Sequence, residues 1–150
     1  MNYAAVSTRY LDDAVATASP AKLLTMLYDR LVLDLQRAEN EQRSGNRPGA
    51  GPHLTHAQDI VGELLATLDV EAWDGARQLQ SVYTFLLTEM VEANIAGDPE
   101  RTAACRGLVE PLRDAWQQAA HEVAVTSTPL EPVGASVPAV RGTLGELGVG

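Results

Sequence analysis

The apolar residues between positions 20 and 123 recur at spacings of three and four, and this spacing constrains the fold more than any other feature. In the first segment, Leu24, Leu27, Leu31, Leu35 and Ala38 follow the spacings three, four, four and three, which place them on one face of an α-helix. Three further segments show the same helical spacing, and the alternation typical of β-strands does not occur in positions 20–123. The sequence therefore predicts an all-α protein.

Local signals divide this region into four helices. Ser19 and Pro20 indicate a helix start, because a serine hydroxyl accepts hydrogen bonds from the free N–H groups of the first turn and a proline at the first helical position has no N–H to lose. The glycine- and proline-rich stretch at 44–52 predicts a break in the chain. Gly97 predicts the end of a helix, and Pro99 predicts the first turn of the next one.

Helices of this length with short connections favour an antiparallel four-helix bundle. We predict that the bundle spans residues 1–124 and that Pro111 kinks the last helix or leaves its first half frayed. We predict that residues 1–18 form a partly ordered arm. We predict a disordered tail at residues 125–150, because this stretch is rich in glycine, proline and serine and has no aromatic residue. The helices are predicted at about residues 20–44, 54–68, 74–96 and 99–123.

The acidic character of the chain argues against two classes of partner. The formal net charge is -9, so phosphate backbones and anionic lipid headgroups are repelled on average. Cys105 is the only cysteine, which excludes an internal disulfide. The first residues lack the basic region and apolar core of a signal peptide, and no apolar run reaches the roughly 18 residues that a membrane helix needs. We therefore expect a cytoplasmic protein that neither inserts into membranes nor binds nucleic acid.

Residues suited to catalysis or metal binding are few. The Glu-x-x-His pairs that di-iron sites require on two helices of a bundle do not occur in the sequence. His53 and His56 lack a cysteine or carboxylate at matching spacing. Cys105 lies on an apolar stripe, where a cysteine usually serves as a small core residue. We expect no enzyme activity, no cofactor and no metal site.

The apolar residues exceed what a bundle core needs. A core-facing helix uses about three of every seven positions, whereas positions 82–91 alone carry Val82, Tyr83, Phe85, Leu86, Leu87, Met90 and Val91. Leu23, Met26 and Leu33 likewise fall outside the main stripe of the first helix. Two interpretations remain open: a wide core that the terminal arm helps to cover, or a groove that accepts an apolar segment of a partner or of a second copy.

Five motifs in one order resemble the FliS family of flagellar secretion chaperones. The first motif combines Tyr10 and Val15 with TASP at 17–20, Leu23 and MLYD at 26–29. The other four are AQDIVGELLATLD at 57–69, VYTFLLTEMVEAN at 82–94, GD at 97–98 and LRDAWQQA at 112–119. The resemblance covers about residues 3–123.

The sequence departs from the family pattern at three places. Phe85, Thr88 and Glu89 stand where the family often has a tyrosine and two arginines. An Asp-Gly pair at 74–75 replaces a common Gly-Gly pair, and the long C-terminal tail matches no part of the pattern. These departures concern the contacts with a partner more than the fold.

The resemblance implies an antiparallel four-helix bundle that acts as an export chaperone for flagellin. It implies binding of the disordered C-terminal segment of flagellin in the cytoplasm, prevention of premature polymerisation and help in delivery to the flagellar type III secretion apparatus. It also implies that the arm around Tyr10 folds over the binding groove. We predict that the flagellin groove comprises Tyr10, Leu11, Val15, Leu23, Met26, Leu27, Tyr28, Ile60, Leu64, Val82, Phe85 and Leu86.

Flagellin and components of the export gate are the expected partners, and the free protein is expected to be a monomer or a weak homodimer. The alternative is a homodimerising structural or regulatory helical bundle that does not bind flagellin, because an apolar groove alone does not identify its partner.

Overall fold

The computed structural model describes residues 19–127, and these residues form four α-helices without a β-strand. The predicted all-α class is confirmed. The predicted arm at 1–18 lies outside the described residues, as does most of the predicted tail at 125–150. One compact unit extends to Ala120, and residues 121–127 continue the last helix in a second unit. The helices are α1 (Pro20–Arg43), α2 (Arg47–Thr67), α3 (Ala76–Ala96) and α4 (Pro99–Ser127).

The start of α1 has the cap that the sequence predicts. The Ser19 hydroxyl accepts a hydrogen bond from the backbone N–H of Lys22 at 3.2 Å, and Pro20 occupies the first turn. The helix ends at Arg43, and Gly45 follows with a φ of 79°, a left-handed conformation that glycine adopts without steric cost. The chain can therefore turn directly into α2.

The second helix begins at Arg47 rather than at about residue 54. The Asn46 side chain caps it by accepting a hydrogen bond from the Gly49 N–H at 3.1 Å. Pro48 lies in the first turn, where backbone N–H groups have no helical partner to lose. Pro52 lies deeper in the helix, but it is exposed, so water can bind the carbonyl that its missing N–H leaves free. The predicted break at 44–52 is therefore confined to residues 44–46, and the glycines and prolines from Pro48 to Pro52 stand within the start of the helix.

Gly97 ends α3 as predicted. Its φ of 63° is left-handed, and its N–H donates to the carbonyl of Ala93. A side chain at this position would also collide with Arg47, whose guanidinium crosses Gly97 and donates to the carbonyl of Ile95. The next helix, α4, runs through Pro111 without interruption, so its first half is helical, and it continues to Ser127, beyond the predicted end at about residue 123.

Side-chain contacts show that successive helices are antiparallel. At one end of the bundle, the Gln42 amide in α1 donates to the carbonyl of Ala93 in α3 at 3.1 Å. The same amide accepts a hydrogen bond from the hydroxyl of Thr102 at the start of α4 at 2.7 Å. Towards the other end, Asp29 in α1 accepts a hydrogen bond from Gln117 in α4 at 2.8 Å. Helices α1 and α3 therefore run in one direction, and α2 and α4 run in the other.

A buried pair of phenols joins α1 to α3 across the core. Tyr28 is 0% exposed and Tyr83 is 2% exposed, and their hydroxyl oxygens are 2.5 Å apart. Burial raises the pKa of both phenols, so both stay neutral at physiological pH. Trp116 of α4 stands beside Tyr28, with ring centres 6.4 Å apart. The largest remaining side chains of the core are Leu31, Leu35, Leu54, Val61, Leu86, Met90 and Val109.

A network of ion pairs joins α1 to α4 beside this core. The Glu39 carboxylate accepts hydrogen bonds from Arg106 of α4 at 2.9 and 3.0 Å and from Arg43 at 2.9 Å. Burial opposes the ionisation of Glu39, but the hydrogen bonds from Arg106 and Arg43 outweigh it and lower the pKa of Glu39 below its ordinary value. A carboxylate whose pKa is lowered on folding stabilises the folded state above its ordinary pKa and loses this effect as the pH falls through the lowered value.

We expect Glu39→Gln to lower the free energy of unfolding by about 1.5–3 kcal/mol near neutral pH, because hydrogen bonds to a charged group are lost. The difference from wild type should shrink as the pH falls below the ordinary Glu value of about 4.3. Urea unfolding at several pH values measures both effects. Glu71→Gln is the matched control, since the Glu71–Arg77 pair is largely exposed and should contribute less than about 1 kcal/mol. If the free energy of unfolding of Glu39→Gln differs from that of wild type by the same amount at every pH, including acid pH, the stabilising role of the Glu39 carboxylate is contradicted.

Candidate functional site

The predicted groove residues fall into three groups. Tyr10, Leu11 and Val15 lie outside the described residues. Four others are core residues whose side chains are closed to solvent: Tyr28, Ile60, Leu64 and Leu86. The remaining five are partly buried or exposed: Leu23, Met26, Leu27, Val82 and Phe85. The structure therefore does not bring the predicted residues together on one open surface.

The outer side of α1 carries a row of apolar side chains, Leu23, Met26 and Leu33, which we call the α1 ridge. At about 100° per residue, these positions lie about 140–160° around the helix from Tyr28, so they point away from the core. Each of the three is only partly buried, and none belongs to the set of side chains packed against the core. Leu27, by contrast, packs against the core. The ridge is thus an apolar, partly buried surface outside the core cluster.

A second apolar surface lies between α3 and α4. Glu89 of α3 contacts Arg101 of α4 at 3.4 Å, which shows that these two helix faces meet. Phe85 lies one turn before Glu89, and Leu108 lies two turns after Arg101 on the same face of α4. Because the helices are antiparallel, both side chains lie on the same side of this ion pair. Phe85 is 52% exposed and Leu108 is 41% exposed.

We call this surface the α3–α4 groove. Its exposed members are Phe85 and Leu108, and its inner members are Val82 and Leu112, which are partly buried and packed against the core. Sequence reasoning identified Val82 and Phe85 but missed Leu108 and Leu112. It also missed Ile95, which is 67% exposed on the outer side of α3 near Val91.

A pocket of about 200 Å³, which we call the end pocket, opens where the connection between α2 and α3 meets the start of α1 and Trp116 of α4. Both tryptophans of the chain line it. Trp73 comes from the connection and is 49% exposed. The aliphatic lining comes from Leu24, Leu64, Leu68 and Leu79. Among these residues only Leu64 was a predicted site residue. A tryptophan in a short polar connection was the available signal.

A buried carboxylate that sequence reasoning missed fixes α1 against α2. Asp34 is fully buried, and its Oδ2 pairs with Nδ1 of His56 in α2. Arg30, one turn earlier, places its Nε 3.2 Å from Oδ1 of the same carboxylate. A buried charge is costly unless it is paired, so this contact fixes how the two helices align. It is a structural element of the interior rather than part of the exposed surfaces.

The thiol of Cys105 has the environment of a core residue. Its side chain is 1% exposed, and burial together with the nearby charge of Glu89 raises its pKa to about 11. A thiol with such a pKa is protonated at physiological pH and is a poor nucleophile. Within residues 19–127, no three His, Cys, Asp or Glu side chains are grouped so that they could hold a metal ion. None of the four described helices is both long and apolar enough to span a membrane.

Comparison with known proteins identifies one family. The family model described as flagellar protein FliS matches residues 2–123. The flagellar secretion chaperone FliS of Escherichia coli (strain K12) is 30% identical over 110 residues, covering 72% of this chain and 81% of the relative. The protein of the same name in Bacillus subtilis (strain 168) is 30% identical over 112 residues, 75% of this chain and 84% of the relative. That of Salmonella typhimurium (strain LT2) is 31% identical over 118 residues, 77% of this chain and 85% of the relative.

The adjacent residues Phe85 and Leu86 separate exposed surface from core. We expect Phe85→Ala to change the free energy of unfolding by less than about 0.5 kcal/mol, as at exposed positions. Leu86→Ala should lower it by about 2–5 kcal/mol, because it leaves a cavity in the core. Urea unfolding followed by circular dichroism measures both values. Equal losses for the two variants would show that Phe85 is a core residue.

Proposed function

Because the chain belongs to the FliS family of flagellar secretion chaperones, we propose that it binds the disordered C-terminal segment of flagellin in the cytoplasm. In this proposal it prevents premature polymerisation of flagellin and assists its delivery to the flagellar type III secretion apparatus, with components of the export gate as further partners. It acts by binding rather than by catalysis.

The observation that carries the proposal is apolar surface outside the core. The α1 ridge and the α3–α4 groove carry large apolar side chains on helix faces that are turned away from the core. Exposed apolar surface on an acidic protein favours aggregation where it is extensive, unless a partner or a segment of the chain covers it. A disordered amphipathic segment can wrap several separate surfaces, which suits this distribution.

The expected magnitudes are compatible with binding followed by release. Ordering a disordered segment that buries roughly 1,000–3,000 Å² costs about 2–5 kcal/mol or more. A few anchor residues can supply the remaining affinity. Moderate affinity serves an export chaperone, because the segment must leave again at the export gate.

Titration calorimetry of the full chain with the C-terminal segment of the flagellin from the same organism tests the proposal. We expect saturable binding at a ratio of 1:1, with a negative heat-capacity change from apolar burial. Gel filtration of the same mixtures should show a monomer or weak dimer that becomes a 1:1 complex. A stable dimer that ignores the segment would contradict the proposal and favour a homodimerising structural or regulatory bundle.

The arm at 1–18 belongs to the same proposal. We propose that Tyr10, Leu11 and Val15 cover apolar residues of the free bundle and that flagellin displaces or repacks them. Deletion of residues 1–16 should then raise the binding of a hydrophobic dye to the free protein. It should also weaken flagellin binding, because a tyrosine contact of hot-spot quality contributes about 2 kcal/mol or more.

The single substitution Tyr10→Ala should also weaken flagellin binding. Dye fluorescence and calorimetry measure the two effects. Dye binding and flagellin affinity that both stay at wild-type values after the deletion would exclude a role for the arm.

A further inference from the structure

We propose that the end pocket and a polar hollow beside it form a two-part recognition site for a partner segment that carries a large apolar side chain next to a lysine or arginine. The inference rests on the proposed function, because the expected segment is the C-terminal segment of flagellin. It assigns a site that the sequence prediction did not contain.

Trp73 separates the two parts of this site. On one side lies the end pocket, and on the other lies the polar hollow, of about 210 Å³, lined by Val70, Glu71, Trp73, Asp74 and Arg77. The half-exposed indole lines both. A segment that crosses Trp73 can therefore place neighbouring side chains in both hollows. Half-exposed tryptophans at such positions are typical binding hot spots.

The first part suits one large apolar side chain. Its lining is mostly aliphatic and aromatic, with Thr67 and Asp69 as the polar exceptions. A volume of about 200 Å³ exceeds the apolar cavity of about 150 Å³ that accepts a benzene molecule. A leucine, methionine or phenylalanine side chain thus fits, and it would remove its own apolar surface and that of the pocket from water.

The second part suits a cation. In the polar hollow, Arg77 pairs with Glu71 at 2.8 Å, which leaves the charge of Asp74 uncompensated. On the rim of the end pocket, Asp69 binds the backbone N–H of Glu71 at 3.0 Å through Oδ1. Within residues 19–127, neither Asp69 nor Asp74 takes part in an ion pair, so two carboxylates flank Trp73. An arginine or lysine of the partner that enters the polar hollow can approach Asp74 and contact the indole face in a cation–π arrangement, and Asp69 adds negative charge on the rim of the neighbouring pocket.

Gly75 makes room for the ring of Trp73. A Cβ atom at Gly75 would overlap the six-membered ring of Trp73. The backbone at Gly75 has φ of -80° and ψ of -7°, which any residue adopts, so alanine there is strained only by this ring. Gly75→Ala therefore displaces the exposed indole without removing a side chain from the site.

The test uses the full-length chain and a dye-labelled, tryptophan-free C-terminal segment of the host flagellin. Both tryptophans of the chain line the end pocket, so occupation should shift tryptophan emission at the same concentrations at which dye anisotropy reports binding. We expect Trp73→Ala and Gly75→Ala each to weaken binding by about tenfold or more. The control is Gly62→Ala, which meets nothing within 4 Å and should bind as wild type does.

Charge is tested separately from shape. The double variant Asp69→Asn with Asp74→Asn should weaken binding by about threefold at low salt, and the difference should diminish at high salt. Asp59→Asn, on the exposed surface of α2, is the control for a lost carboxylate and should change affinity less. Thermal unfolding of each variant establishes that the bundle is intact.

The outcomes separate the two proposals. If wild type fails to bind the flagellin segment, the proposed function fails and this inference fails with it. If wild type binds but Trp73→Ala and Gly75→Ala bind equally well, or if binding leaves tryptophan emission unchanged, the two-part site is overturned while flagellin binding stands. Loss of binding in these two variants, with Gly62→Ala unaffected, supports the site.

Discussion

The hydrogen bond between Tyr28 and Tyr83 is the constraint on which the arrangement of the helices depends. A buried hydroxyl without a partner destabilises a core, and here each phenol supplies the partner of the other at 2.5 Å. The contact fixes the axial position of α1 relative to α3. Near the other end of α1, the hydrogen bond from Gln42 to the Ala93 carbonyl fixes the same relation. Once both helices are aligned in this way, helical geometry decides which apolar side chains enter the core and which remain outside.

The side chains that remain outside the core are the ones that we propose a partner binds. Phe85 stands two residues after Tyr83 and therefore points about 200° away from it, while Leu86 stays inside. The same geometry turns Met26 away from the core that holds Tyr28. In this proposal, stability and recognition are carried by different residues of the same helices. A partner can cover the outer set without opening the inner one, which is what a chaperone of an unfolded export segment requires.

Local signals in the sequence predicted the parts of the fold that depend on neighbouring residues. Ser19 with Pro20 and Gly97 act through their own backbone and the next turn, so they were found correctly. The start of α2 was predicted at about residue 54 but lies at Arg47, because Asn46 caps a helix whose first turns contain glycine and proline. Helical periodicity correctly turns Phe85 away from the face that holds Tyr83 and Leu86. The groove prediction was wrong to include core residues such as Leu64 and Leu86, because spacing alone does not show which residues the other helices cover. Asp34 with His56, and Trp73 with Trp116, meet only through the tertiary fold, and no spacing in the sequence indicates those contacts.

The central claim is that a partner segment binds the apolar residues outside the core while the core stays closed. Hydrogen exchange of the full chain, measured by mass spectrometry with and without the flagellin C-terminal segment, tests it most directly. We expect slower exchange in the connection at 68–75 and around Phe85 and Leu108, and unchanged slow exchange in the turns that hold Tyr28 and Tyr83. Faster exchange throughout α1 and α3 on binding would show that the partner opens the core, and it would contradict the account.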